Sequence, residues 1–538
     1  MRSILRRSLV LSGAAIAVAA AVTAMPVGAA PAPAAAPALG LVSVAPHVTY
    51  HRFPGDPIFF FDLGMHIQAG ANPVEIRASR PSYDRPVTAS RVTRTGNRET
   101  LTPLPAGLVQ DLYGLSSFLH IRLTGADGRV VMDKDTTFCP NSFLAVRSRP
   151  DAPATSPYPE MCGTYAPFAL GGMWGLQAGW SEQLILDTFD QGLDAPDGDY
   201  TLDVSINPAY RRFFAIPAAA AQVSAAFTVE TIDVDNPPST SAPGQPGAKA
   251  RAAGSGARTA AAAELARART ARTRGGLTLH LDGTAPRLPD RAGSGPALKP
   301  ARTRPTATRV RPANARPDLR AVPAFGITTS NEDGADQLVF AANVWNAGPS
   351  PLIVDGFRRS GTDVMDAVQY FYNANGQEVG SAPTGTFEYD RRPGHNHWHF
   401  TDFATYRLLD ASQRLAVRSG KEAFCLGATD PIDLLVRGAA WKPGTFGFST
   451  CSGETALSIR EQLPVGWGDT YIQSLPGQAF DITGVPNGTY YIQIVANPEN
   501  RLYESSTSNN TSLRKVILGG TPGARTVQVP PVGLIDVP

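Results

Sequence analysis

The same landmarks occur twice in this chain, in the same order, and any fold it adopts has to house both sets. Phe118-Leu-His-Ile-Arg-Leu123 leads to Phe138-Cys139, as Phe403-Ala-Thr-Tyr-Arg-Leu408 leads to Phe424-Cys425. From the leading Phe to the Cys is 21 residues in the first set and 22 in the second. Cys162 then precedes Gly179-Trp180 as Cys451 precedes Gly466-Trp467. Finally Asp197-Gly-Asp-Tyr-Thr-Leu-Asp-Val-Ser-Ile-Asn-Pro208 matches Asn487-Gly-Thr-Tyr-Tyr-Ile-Gln-Ile-Val-Ala-Asn-Pro498, with nine residues from Gly to Asn in both. Self-similarity of this length reads as duplication of one structural unit.

Both units read as β. Tyr-Thr-Leu-Asp-Val-Ser-Ile and Tyr-Tyr-Ile-Gln-Ile-Val alternate in polarity, each after a Gly turn and each ending at Asn-Pro. Val339-Phe-Ala-Ala-Asn-Val-Trp345 is another strand, broken by Asn-Ala-Gly-Pro. Many short strands between turns, in a chain with 51 Gly and 47 Pro, point to an all-β fold with few helices. The expectation is two related β-sandwich (Ig-like) domains, residues 40–235 and 315–518, with a C-terminal tail from 519 to 538.

Between them, residues 236–314 contain 14 Lys+Arg against 3 Asp+Glu, and almost no aromatics. A segment this poor in bulky apolar residues cannot offset the entropy of ordering, so it reads as a long disordered basic linker. Only Leu277-Thr-Leu-His-Leu281 looks like a strand, and Ala260 to Thr273 suits a local helix. The net +2 of the whole chain therefore hides a +11 connector, a +3 leader and two mildly acidic bodies. Such a linker serves as a spacer, and its charge suits contact with cell-wall polyanions. Nothing in the pattern calls for a nucleic acid.

Residues 1–29 read as a signal peptide: Arg2, Arg6 and Arg7, then an uncharged apolar stretch from Leu9 to Ala24, then Val27-Gly-Ala29 for cleavage. The apolar stretch is shorter than the ~20 residues of a membrane span, and no second one follows. Arg6-Arg7-Ser-Leu-Val fits a twin-arginine signal and an ordinary secretory one alike. The mature protein is therefore expected outside the cell, secreted or wall-associated. There, the four cysteines are expected as two disulfides, Cys139–Cys162 and Cys425–Cys451.

Eight histidines occur, and three of them lie within five residues: His395, His397 and His399. On a strand, positions i, i+2 and i+4 share a face at ~6–7 Å steps, so the three imidazoles would line one side and converge on a metal. Imidazole suits Cu(II) or Zn(II), and the triplet alone does not separate them. The bland alternative is a solvated polar strand edge.

The surrounding sequence resembles a known family. Gly394-His-Asn-His-Trp-His399, Phe400-Thr-Asp-Phe-Ala-Thr-Tyr-Arg-Leu-Leu-Asp410, Gly420-Lys-Glu-Ala-Phe-Cys425, Gly468-Asp-Thr-Tyr471 and Phe480-Asp-Ile-Thr-Gly-Val485 resemble the catalytic core of lysyl oxidases, in family order. The likeness runs from Arg316-Pro-Asp-Leu319 to Glu504-Ser-Ser-Thr-Ser-Asn-Asn510, about 200 residues. It implies copper held by His395, His397 and His399, and a lysine tyrosylquinone formed from Lys421 and Tyr471. It also implies oxidation of a primary amine, such as a protein lysine, to an aldehyde, with molecular oxygen as acceptor and ammonia and hydrogen peroxide released. Read as residues alone, Lys421 would be an exposed strand lysine and Tyr471 a core tyrosine. Asp469, two residues before Tyr471, is the candidate general base, although turns also use such an aspartate.

By the same likeness Asp318, the Leu319 carbonyl, Glu504, Ser506, Asn509 and Asn510 mark a calcium site that would tie together the two ends of the domain. Ser506 departs from the family pattern, which carries an aspartate there, and one anion fewer weakens such a site. The single Cys pair is fewer than in the animal enzymes. In the first copy, Gln110, Leu112 and Gly114 stand at the triplet positions and Leu184 at that of Tyr471. That copy is therefore expected to be non-catalytic. Two rival readings remain open on the residues: a non-enzymatic adhesion protein with a vestigial metal site, and a zinc hydrolase using Asp390 or Asp402, for which no HExxH arrangement exists.

Overall fold

A computed structural model describes residues 38–55, 58, 60–163, 166–187, 193–232, 313–391, 396–419, 423–443, 451–475 and 477–532. The signal peptide, nearly all of the basic linker with its expected strand 277–281 and helix 260–273, His395 and Lys421 lie outside the described residues. Within them the fold is all-β. The single α-helix described is Pro208–Phe214, started by Asn207, whose side chain accepts from the Ala209 N–H, with Pro at the first helical position. No described helix is long and apolar enough to cross a membrane.

Three sheets form from residues 39–231. One has the order Leu39–Ser43, Phe60–Ala69, Trp180–Asp187, Val146–Arg147. A second runs Gly171–Leu176, Val74–Ser79, Thr88–Thr95, Arg98–Pro103. The third is His47–Arg52, Gln222–Thr231, Gly198–Ile206, Leu115–Gly125, Val130–Phe138.

Residues 319–528 repeat these pairings. Ala335–Asn346 lies between Leu319–Ala321 and Trp467–Tyr471, as Phe60–Ala69 lies between Leu39–Ser43 and Trp180–Asp187. Ser458–Leu463 pairs Leu352–Arg358, which pairs Val364–Tyr372, the order of the second sheet; Glu378–Asp390, His397–Thr401 and Ala423–Phe424 extend it. Leu415–Arg418, Ala404–Leu409, Gly488–Ala496 and Thr511–Thr521 repeat the third, and Ala524–Gln528 adds an outer strand within the stretch read as a tail.

The landmarks of the repeat do the same work in both halves. Gly198 and Gly488 take φ of +149° and +155°, which a side chain would resist. Tyr200 and Tyr490 each donate a hydroxyl hydrogen bond to the carbonyl four residues back, Pro196 and Pro486. The N–H groups of Asn207 and Asn497 donate to Phe118 and Phe403. Along Gly488–Ala496 every second residue from Tyr490 is buried, so Tyr490, Ile492, Ile494 and Ala496 face the core, as the alternation predicts. Both expected disulfides form.

Each half has its own apolar core, and two smaller clusters join the halves. In one, Phe168 and Leu170 meet Val322, Trp345 and Ile432; in the other, Met173 meets Leu434, Ala440 and Trp467.

Candidate metal centre and active site

The histidine strand is shorter than the sequence suggests. His397–Thr401 pairs with Glu378–Asp390, His397 opposite Asp390 and His399 opposite Glu388. Asn396 sits at φ +50°, a left-handed conformation that Asn tolerates, so the strand begins only at His397. The period-2 argument therefore applies to His397 and His399, while His395 lies outside the described residues. Between them Trp398 points the other way, fully buried in the core, with its indole N–H donating to the Gly453 carbonyl. That anchor turns His397 and His399, 6% and 3% exposed, to the opposite face.

The two rings do not stand at the expected 6–7 Å. They lean together, with centroids 4.6 Å apart and Nε2 atoms 2.8 Å apart. Two imidazole nitrogens each about 2.0–2.1 Å from one ion, at a right angle, would be about 2.9 Å apart. A shared proton or a shared cation would satisfy both nitrogens. On the far side of His399, Nδ1 lies 3.5 Å from the Asp390 carboxylate, the partner that commonly orients a metal-ligating imidazole. The described residues of the triplet thus fit a metal bound through Nε2.

Tyr471 ends the strand Trp467–Tyr471, with Asp469 on the same face and both buried. The Tyr471 hydroxyl donates to the Cys425 carbonyl at 2.8 Å, and its ring stands edge-on to Phe424. Phe424 in turn pairs with Phe400 of the histidine strand. Cys451, disulfide-bonded to Cys425, accepts from the Trp398 N–H. The histidines, the disulfide and Tyr471 are therefore consecutive parts of one hydrogen-bonded arrangement. Lys421, two residues before Ala423–Phe424, lies outside the described residues. Burial pushes the Tyr471 phenol well above its ordinary value, and the nearby Asp469, Glu461 and Tyr406 add to this.

Glu461 was not singled out from the sequence. It lies on Ser458–Leu463, fully buried, where its Oε2 accepts from the Leu426 N–H. Its carboxylate is within 4.8 Å of both sulfurs of Cys425–Cys451, and because these are in a disulfide the trio is no thiolate metal site. Burial, and then Asp469, push the Glu461 carboxyl well up. In the first half, Trp180 aligned on Trp467 puts Glu182 where Asp469 stands, also buried. That half has Leu184 in place of Tyr471 yet keeps a carboxyl there.

Of the residues expected to hold calcium, Asp318 meets Asn509 and Glu504 meets Asn510, while Leu319 reaches Glu504 through its N–H rather than its carbonyl. Glu504 accepts from the Leu319 N–H and from the side-chain amides of Asn497 and Asn510; Asn509 donates to both oxygens of Asp318, which also pairs with Arg320. Ser506 bonds Ser508 instead. The amide oxygens of Asn509 and Asn510 are buried with no hydrogen-bond partner. Turning the Asn509 amide over would present oxygen in place of nitrogen to the Asp318 carboxylate, the kind of donor a hard cation takes, whereas the Asn510 amide is also held by the Ala496 carbonyl.

Residues 373–524 match the family model for lysyl oxidase. This segment is a lysyl oxidase domain. The chain is 34% identical over 118 residues to the protein-lysine 6-oxidases of Gallus gallus and Sus scrofa, and 31% identical over 117 residues to lysyl oxidase homolog 3B of Danio rerio. Each match covers 22% of this chain, and the chain spans 24%, 41% and 13% of those relatives, well under two thirds of any of them. The lysyl oxidase domain contains the histidine strand, Cys425–Cys451 and Asp469–Tyr471, so the likeness falls on the site.

Proposed function

We propose that residues 315–518 form the catalytic domain of a secreted copper amine oxidase that deaminates primary amines, peptidyl lysine or alkyl amines, to aldehydes. The observation that carries this reading is the convergence of the His397 and His399 Nε2 atoms beside a ladder that ends at Tyr471. His395, His397 and His399 would hold copper, and Lys421 and Tyr471 would form the lysine tyrosylquinone. Together these groups supply a two-electron acceptor that molecular oxygen restores.

The protein's own residues do the rest. Asp390 fixes the His399 ring so that Nε2 faces inward. Cys425 and Phe424 hold the Tyr471 ring, and its burial excludes water. Asp469 is the base that takes a proton from the carbon bearing the substrate amine. Beside it, burial pushes the Glu461 carboxyl well up, which favours its protonated form.

In the same proposal the halves are related Ig-like sandwiches. Residues 40–235 are a non-catalytic copy and 236–314 a basic linker suited to wall polyanions. Asp318, the Leu319 carbonyl, Glu504, Asn509 and Asn510 hold calcium, with Ser506 left out. The repeated strand order supports the duplication.

Phenylhydrazine treatment of the copper-loaded mature protein tests the proposal. An adduct joining the peptides around Lys421 and Tyr471 is expected. Copper-loaded protein with an unmodified Tyr471 peptide would refute it.

A further inference from the structure

The strand that carries Asp469 and Tyr471 is only five residues long, and one of its two neighbours is weak. On one side Ala335–Asn346 pairs with it from Gly468 to Tyr471. On the other, the only paired partners among the described residues are Asp430 and Pro431, opposite Gly468 and Trp467. Around that bridge the segment 429–434 adds several contacts. The Thr429 N–H donates to the Gly468 carbonyl, the Thr470 N–H to the Thr429 hydroxyl, and the Thr470 hydroxyl to Asp430. The Ile432 and Asp433 N–H groups both donate to the Gly466 carbonyl.

The outer side of this segment is held by the other half of the molecule. The Leu170 N–H donates to the Ile432 carbonyl at 2.7 Å, and the Leu434 N–H donates to the Gly171 carbonyl at 2.9 Å. Gly171 and Asp433 form a parallel bridge. Side chains close the seam: Met173 packs with Leu434, Ala440 and Trp467, and Leu170 with Ile432 and Trp345. Tyr158 stacks on Trp441 with centroids 6.3 Å apart, while its hydroxyl reaches the buried Glu75 of its own half. Gly171 has no room for a side chain, because a Cβ there would collide with the Asp433 carboxylate. A short inner strand is thus fixed by a segment whose outer edge belongs to residues 170–171.

We propose that the first half is a built-in positioning element for the Asp469–Tyr471 strand, acting through Leu170 and Gly171 on segment 429–434. This rests on the reading of Asp469 and Tyr471 as site residues. It gives the copy without ligands a role: a reacting group displaced by ~1 Å loses much of its effectiveness, and an edge strand without a partner frays. Leu170, Gly171 and Trp441 are positioning residues, not catalytic ones.

The test uses the full chain with two substitutions, Gly171→Val, which drives the seam apart, and the milder Trp441→Ala. Hydrogen exchange would be followed peptide by peptide, alongside copper content and the yield of the phenylhydrazine adduct. Expected is at least tenfold faster exchange in 429–434 and 466–471, with Gly198–Ile206 and Gly488–Ala496 unchanged. Copper content should stay at the wild-type level while adduct yield falls. Unchanged exchange at 466–471 in both variants would overturn the inference, as would equal loss of protection across all strands. If the wild type itself forms no adduct, the oxidase reading fails, and exchange still decides whether the first half holds this strand.

Discussion

Glu182 offers a direct measure of what a buried carboxyl costs this fold. Burial, offset in part by a hydrogen bond from Ser142, pushes it up to about 7. In the unfolded chain a glutamate ionises near 4.3–4.5. The folded state therefore favours the protonated form. Stability from this group is fully present below about pH 4.5 and is lost as pH rises through about 7. The difference between the two values corresponds to about 3 kcal/mol at pH 9. Glu182→Gln keeps the shape and removes the ionisation. Urea unfolding of both proteins should give nearly equal stabilities at pH 4, with the variant ahead by about 3 kcal/mol at pH 9. A difference that stays flat between these limits would refute the reasoning, because the carboxyl would then ionise equally well in both states.

Four further outcomes are expected. Lys421→Ala should bind copper as the wild type does yet give no peroxide from an alkylamine above the copper-free background. Asp390→Asn should weaken copper binding about 10–100-fold in a competitive titration, as loss of an orienting partner does, without unfolding the sheet. Replacing both Cys425 and Cys451 by Ser opens a loop with a sequence separation of 26, and should lower unfolding free energy by about 3.5 kcal/mol in denaturant titrations. Millimolar calcium should raise the melting temperature of the wild type, and should have no effect on Asp318→Asn if those oxygens are the ligands.

The sequence carried the repeat well because its landmarks are backbone requirements: Gly198 and Gly488 need their φ, and Asn207 and Asn497 close the same turn. Alternation likewise placed Tyr490, Ile492 and Ile494 inward. The histidine strand was only partly legible, since periodicity presumes extended backbone and Asn396 leaves it. Glu461 was hidden for the opposite reason. Ser-Ile-Arg-Glu-Gln-Leu reads as a half-exposed strand, and only the disulfide and the Asp469 strand packed around it make that carboxyl buried. The seam between the halves has no local signature at all, because Tyr158 and Trp441 are brought together from segments far apart in sequence.

The outermost strand of each repeated five-stranded sheet has a different origin. In the first half it is His47–Arg52, which comes before the rest of that sheet and runs parallel to Gln222–Thr231. In the second it is Ala524–Gln528, which comes after and runs antiparallel to Thr511–Thr521. The strand order shared by the two sheets thus covers four strands, and in each half a further strand from one end of the segment covers the open side. That makes the last strand a guard against self-association: cut away Ala524–Gln528 and the backbone of Thr511–Thr521 becomes a template for a second molecule.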